Sequence, residues 1–147
     1  MSAIKTTKCD EDIHGCFPVM HELRSHLDER AFFEQVKRQM ETQRYKLAFV
    51  EADGDVVAVA GYRIVEMLAW GKTLYVDDLV TQSTRRSEGF GEKLFDWLID
   101  QAKQSGCEQF HLDSGVQRFA AHRFYLRKRM DITSHHFAIE LSNANER

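Results

Sequence analysis

The stretch Thr73–Gln104 limits most strongly what this chain can become. Thr73–Thr81 reads as a strand, and Arg85-Arg86-Ser87-Glu88-Gly89-Phe90-Gly91 follows it as a polar, glycine-bearing loop. From about Gly89 to Gln104, Phe90, Leu94, Trp97, Leu98 and Ala102 are the apolar positions of one long helix. Ser105–Gly106 ends that helix, because glycine suits the position just past a helix C-terminus. A strand feeding such a helix through a short loop points to a layer of helix packed on sheet.

The rest of the chain continues the alternation. Ala3–Lys8 leans toward a strand, and Asp10 is a good helix N-cap. Ile13, Cys16, Phe17, Met20, Leu23 and Leu27 have helical spacing, with Pro18 expected to kink the helix. Phe32, Phe33, Val36 and Met40 mark a second amphipathic helix. Leu47–Glu51, the turn Asp53–Gly54 and Val56–Arg63 predict a β-hairpin, with Ile64–Leu68 continuing its second strand and Gly71 turning into Thr73–Thr81. Cys107–Asp113 predicts a strand, Gln117–Arg127 a helix and Ile132–Leu141 a final strand. Met1–Ser2 and Ser142–Arg147 are expected to fray. The fold class is α/β, mixed α+β, around a mixed sheet. With 147 residues and no linker, repeat or low-complexity run, residues 1–147 are expected to form a single domain.

Composition narrows the function. Hydrophobic residues at 43% and charged residues at 29% argue against a wholly disordered chain. A formal charge of −3 offers no basic field for nucleic acid. The longest apolar run, Val56–Gly61, is far short of the roughly 20 residues of a membrane span, and no leader precedes Asp10, so neither a membrane nor export is expected. Cys9, Cys16 and Cys107 are an odd set without paired spacing; Cys16 and Cys107 fit core positions. A cytoplasmic protein is the expectation. No His-x-x-x-His or Cys-x-x-Cys spacing occurs, and the adjacent His135 and His136 face opposite ways on a strand, so no metal site is expected.

The chemistry sits in the loop. The first amides of a helix lack intrahelical acceptors, and the helix dipole adds partial positive charge. Gly89 permits a left-handed turn and Gly91 a close backbone approach. Such a loop can cradle a pyrophosphate, with Arg85 or Arg86 as charged support; a plain connection with a solvated arginine pair is the alternative. A Rossmann fingerprint fails because Leu94 stands where its third glycine belongs. A P-loop fails because Glu66 stands five residues before Gly71-Lys72-Thr73.

At Arg86, Gly89 and Gly91 the chain resembles the GNAT superfamily of acyl-CoA N-acyltransferases, whose signature is Arg/Gln-x-x-Gly-x-Gly/Ala after a strand. Ala121-His122-Arg123-Phe124-Tyr125 matches the family's Ala-x-x-Phe-Tyr helix, and the order of elements from Ala3 to Leu141 also follows the family. Ala121–Arg127 and Ser134-His135-His136-Phe137 look like the aminoalkylphosphonate N-acetyltransferase branch. The resemblance implies a central, mostly antiparallel sheet flanked by helices, in which the thioester-binding strand splays from its neighbour. It implies acetyl-CoA as acyl donor and a small-molecule primary amine as acceptor. A protein N-terminal or lysine acetyltransferase and a non-catalytic acyl-CoA-binding regulatory module are the alternatives. Homodimerisation is common for such small domains, and no surface of the sequence is assigned to it.

By the same resemblance, Leu79, Val80 and Thr81 would offer backbone groups to the pantetheine arm and thioester carbonyl, and Arg85, Arg86, Ser87, Glu88, Gly89, Phe90 and Gly91 would hold the pyrophosphate. Tyr125 would protonate the leaving thiolate, a phenol of pKa near 10 being protonated at neutral pH. Asp78 aligns with an acidic position of the narrower branch and is the first candidate for the base; a solvated or capping aspartate is the alternative. Asp77 and Asp78 are neighbours on a strand, so only one of them is expected to face the cleft, and a bulge could change which one does. The chain departs from the family at Tyr75, where many members have a carboxylate, at Arg118 for Asn, at Arg129-Met130 for Gly-Phe and at Ser83 for Pro. His111 and Asp113 would share one face, as cleft lining or as a polar pair. Arg118, Arg123, Arg127, Lys128 and Arg129 form a basic run suited to phosphates or to a solvated helix face.

Overall fold

The computed structural model describes residues 1–141; the expected frayed end Ser142–Arg147 lies outside the described residues. The chain divides into two compact units, Met1–Leu112 and Asp113 onward. The first holds β1 (Ser2–Thr6), α1 (Asp10–Leu23), α2 (Glu29–Gln43), β2 (Lys46–Ala52), β3 (Asp55–Met67), β4 (Gly71–Thr81), a 3-10 turn at Ser83–Arg85, α3 (Phe90–Gln104) and β5 (Gln109–Leu112). The second holds α4 (Phe119–Arg127).

The strands form one sheet in the order β1-β2-β3-β4-β5, antiparallel as far as β4 and parallel between β4 and β5. The hairpin forms where it was expected: Asp53 and Gly54 both adopt positive φ, 55° and 84°, the pairing that a two-residue I′ turn needs. Alternation then sorts β2 cleanly. Ala48, Val50 and Ala52 bury toward α3 with Leu94, Leu98 and Ala102, whereas Leu47 and Phe49 bury toward α1 and α2 with Cys16, Met20, Phe32 and Val36. Fully buried, Cys16 has its thiol pushed up to about 12 by desolvation, so it is a core residue and not a nucleophile.

Several local expectations change. Cys9, not Asp10, is the N-cap of α1, and Asp10, Glu11 and Asp12 fill the first turn, where negative charge offsets the helix dipole. The helix runs on through Pro18 to Leu23. Ser2 already belongs to β1, and β5 ends at Leu112 instead of Asp113. Ile132–Leu141 forms no strand, and Phe137, Ile139 and Leu141 are 91%, 79% and 80% exposed. Period-2 spacing fixes which side chains would share a face, but a strand also needs a hydrogen-bonded partner, which spacing along one segment does not supply.

Candidate active site

β4 changes character halfway along. Thr73–Val76 is paired on both sides, to β3 and to Gln109–Leu112 of β5. Beyond Val76 the strand continues to Thr81 paired with β3 alone, because β5 has ended. At the same point Tyr62 pairs with Val76 and Gly61 with Asp78, so Asp77 is an extra residue without a cross-strand partner. This bulge reverses the alternation: Leu74 and Val76 face α3, yet Val80 is buried on the α1/α2 side and Leu79 packs toward α3.

Asp77 and Asp78 therefore both line one cavity of about 370 Å³ between the sheet and the first two helices, which corrects the expectation that only one would. Asp77 receives Arg63 Nε at 2.8 Å and Nη2 at 2.9 Å, a bidentate pair from β3. Asp78 Oδ1 receives Arg24 Nε at 2.9 Å, and Oδ2 receives the Tyr45 hydroxyl at 2.7 Å. Arg24 Nη2 also donates to the Asp77 carbonyl at 2.9 Å, so one guanidinium clasps both the bulge and the carboxylate. Desolvation, and then the adjacent Asp78, push the Tyr45 phenol well above its usual range.

Gly61 explains how Tyr45 gets there. A Cβ at residue 61 would overlap the Tyr45 hydroxyl and lie 2.7 Å from Asp78 Oδ2. The ring lies across the middle strand from β2 toward β4, and only glycine leaves it room. Arg24, Tyr45 and Arg63 escaped the sequence reading; Gly61, a lone glycine in a strand, was the available signal for a close approach.

Downstream, the chain turns from β4 into α3. Gln82 N–H donates to Val57 O at 2.8 Å and Ser83 N–H to Glu22 Oε1 at 3.0 Å, which ties the 3-10 turn to β3 and α1. Ser87 and Gly89 adopt positive φ, 73° and 85°, and Gly89 caps α3 with no side-chain bond to the first amides. A helix N-terminus capped in this way can take an anion. A Cβ on Gly91 would stand 2.8 Å from Thr81 Oγ1, so glycine lets the start of α3 sit against the end of β4. Arg86, Ser87, Glu88 and Gly89 are exposed. Arg85 is engaged: its Nε donates to Glu88 at 2.8 Å, Nη2 lies 3.5 Å from Asp53, and the guanidinium covers the Phe90 ring at 5.2 Å. The chemistry of this loop fits a pyrophosphate.

His111 stacks on Trp70 with ring centroids 3.6 Å apart, and burial lowers its pKa. In the second unit, Asp113 lies 3.3 Å from His136 Nδ1. There α4 carries Tyr125, which is largely buried, with Phe124 edge-on at 5.7 Å. Burial raises the Tyr125 phenol above its ordinary value, against an opposing pull from Arg118. Arg129 holds a φ of 67°, and Met130 N–H donates to Tyr125 O at 3.1 Å while Arg129 N–H reaches Leu126 O at 3.0 Å. Helix α4 thus ends in the left-handed closure that glycine usually supplies, with arginine in its place.

The geometry agrees with comparisons to known proteins. Residues 7–130 match the model of the acetyltransferase (GNAT) family. An uncharacterized N-acetyltransferase of Bacillus subtilis, YhdJ, is 31% identical over 128 residues, covering 87% of this chain and 90% of the relative. The aminoalkylphosphonate N-acetyltransferase of Salmonella typhimurium is 28% identical over 122 residues, covering 80% and 78%. The fold is also that of an aminoglycoside N-acetyltransferase solved with CoA, at a TM-score of 0.83 and 10% identity over 96% of this chain and 95% of that one. With the family model spanning both units, the chain belongs to the GNAT family of acyl-CoA-dependent N-acyltransferases.

Proposed function

We propose that this protein transfers an acetyl group from acetyl-CoA to the primary amine of a small molecule, as one cytoplasmic domain over residues 1–147. The observation that carries the reading is the bulge in β4. It turns Asp77 and Asp78 into one small cavity immediately before Leu79–Thr81, where the strand is paired on one side only. At about 370 Å³ the cavity suits a small ligand better than a polypeptide. Likeness to a relative named for aminoalkylphosphonates supports trying small primary amines with an anionic group first as acceptors.

Acetyl-CoA supplies the activated acyl group. The amides of Arg86–Gly91 and the first turn of α3 would hold its pyrophosphate, and Leu79, Val80 and Thr81 would offer backbone groups to the pantetheine arm and the thioester oxygen. Asp78 takes a proton from the acceptor's ammonium group, leaving a nitrogen lone pair for the carbonyl carbon. As the C–N bond forms and the C–S bond breaks, Tyr125 gives its phenolic proton to the departing thiolate; the second proton lost by the amide nitrogen restores the Tyr125 phenol through solvent, and the proton on Asp78 passes to solvent.

The test is CoA release from acetyl-CoA with a panel of aminoalkylphosphonates, polyamines, amino sugars, amino acids and N-terminal peptides. Rapid, saturable release with one small-amine class is expected. Release with peptides alone would overturn the small-molecule reading, and saturable acetyl-CoA binding without release would favour a binding module. In Gly89→Trp, with a φ of 85° and open space at its Cβ, acetyl-CoA affinity is expected to fall at least about tenfold. Unchanged affinity would remove the pyrophosphate site from this loop.

A further inference from the structure

We propose that Tyr45 and Arg24 are positioning residues that fix the Asp78 carboxylate for proton removal, with Gly61 as the clearance that lets Tyr45 reach it. This rests on Asp78 being the base.

Tyr45 is held at both ends. Its N–H donates to Gln39 O at 3.1 Å, closing α2 behind Arg44, whose φ is 55°. Its ring is buried to 4% exposure and points over β3 toward β4, two strand spacings or roughly 10 Å away. Any side chain on the middle strand at residue 61 would block that path. A phenylalanine would fill the same apolar space, so the hydroxyl is the part that must be accounted for. Its partner is a carboxylate on the wall of the cavity, 14% exposed.

Asp78 is gripped at two points. Tyr45 occupies one lone pair of Oδ2 and Arg24 Nε one lone pair of Oδ1, which fixes the rotation of the carboxylate plane. One lone pair remains on each oxygen to accept the ammonium proton, whose N–H bond breaks as the O–H bond forms. Arg24 enters from the C-terminal end of α1 and holds the bulge through the Asp77 carbonyl, so the same side chain sets where Asp78 sits and which way it faces. The buried phenol cannot ionise near neutral pH, and Tyr45 therefore stays a donor to Asp78 throughout.

Both contacts hold the carboxylate in one orientation, so removing either impairs the proton-transfer step and leaves binding alone. Asp77 and Arg63 from the sheet and His26 from the connection between α1 and α2 are the other charged and titratable groups near it, and neither substitution removes any of them. The experiment measures kcat and the acceptor KM for CoA release in wild type, Tyr45→Phe, Arg24→Gln and Asp78→Asn, with acetyl-CoA affinity as the control. Tyr45→Phe and Arg24→Gln are each expected to lower kcat roughly tenfold, with the acceptor KM and acetyl-CoA affinity unchanged. If Tyr45→Phe fails to fold, Arg24→Gln carries the test, since the Arg24 side chain is 41% exposed. Wild-type kcat in the positioning variants, while Asp78→Asn loses turnover, would overturn the proposal and leave Asp78 as base. A wild-type rate in Asp78→Asn would instead overturn the assignment of the base, and the clamp with it.

Discussion

The two halves of β4 belong to one strand and do opposite work. Thr73–Val76 is paired on both sides and places Leu74 and Val76 in the core against α3. Asp77–Thr81 has lost one neighbour, carries the bulge and presents two carboxylates to a cavity. Continuous pairing ties the first half to two neighbours; interrupted pairing leaves the second half tied to β3 alone, and the proposed mechanism draws on its backbone groups and carboxylates. Under that mechanism a framework strand becomes a working surface within a few residues, without a loop.

The comparison predicts that substitutions in the first half change stability and those in the second change turnover. Leu74→Ala, at a fully buried site, should cost about 3 kcal/mol of stability in denaturant or thermal melts and leave acetyl-CoA affinity of the folded fraction unchanged. Asp78→Asn should lower kcat/KM about a hundredfold, about 2.7 kcal/mol in the barrier, with little change in melting temperature. A large stability loss there would erase the distinction between the halves. Tyr125→Phe carries the contrast outside the strand, with turnover expected to fall about tenfold. Because burial raises the Tyr125 pKa, wild-type activity should decline only as pH rises past the ordinary tyrosine value near 10, and the variant should lack that alkaline limb. The smallest effect belongs to Arg63→Gln, which frees Asp77 from its bidentate partner. It should cost roughly 1 kcal/mol of stability and change kcat less than Asp78→Asn does.

Much of the scaffold was legible in the residues. The Asp53–Gly54 turn, the long helix stopped at Ser105–Gly106 and the glycines of the loop announce local geometry that one or two residues decide. The site was legible only in part. Simple alternation put Asp77 and Asp78 on opposite faces, and a bulge is a property of two strands paired together, invisible along one. Arg24 and Tyr45 meet Asp78 across 54 and 33 residues of chain, a distance no local pattern spans. Phe137, Ile139 and Leu141 erred the other way: their spacing suits a strand, yet they form none, because spacing along one segment supplies no hydrogen-bonded partner. Arg129 was read as a departure from a family glycine, yet its backbone adopts the left-handed conformation all the same.

The clearance at Gly61 has an evolutionary consequence. A single added methyl group would evict the Tyr45 hydroxyl, so position 61 is free to vary only after position 45 has surrendered its oxygen and position 78 has found another donor. Among relatives these three positions should therefore change as a set, and a lineage carrying a larger residue at 61 should carry a different device for holding its acid.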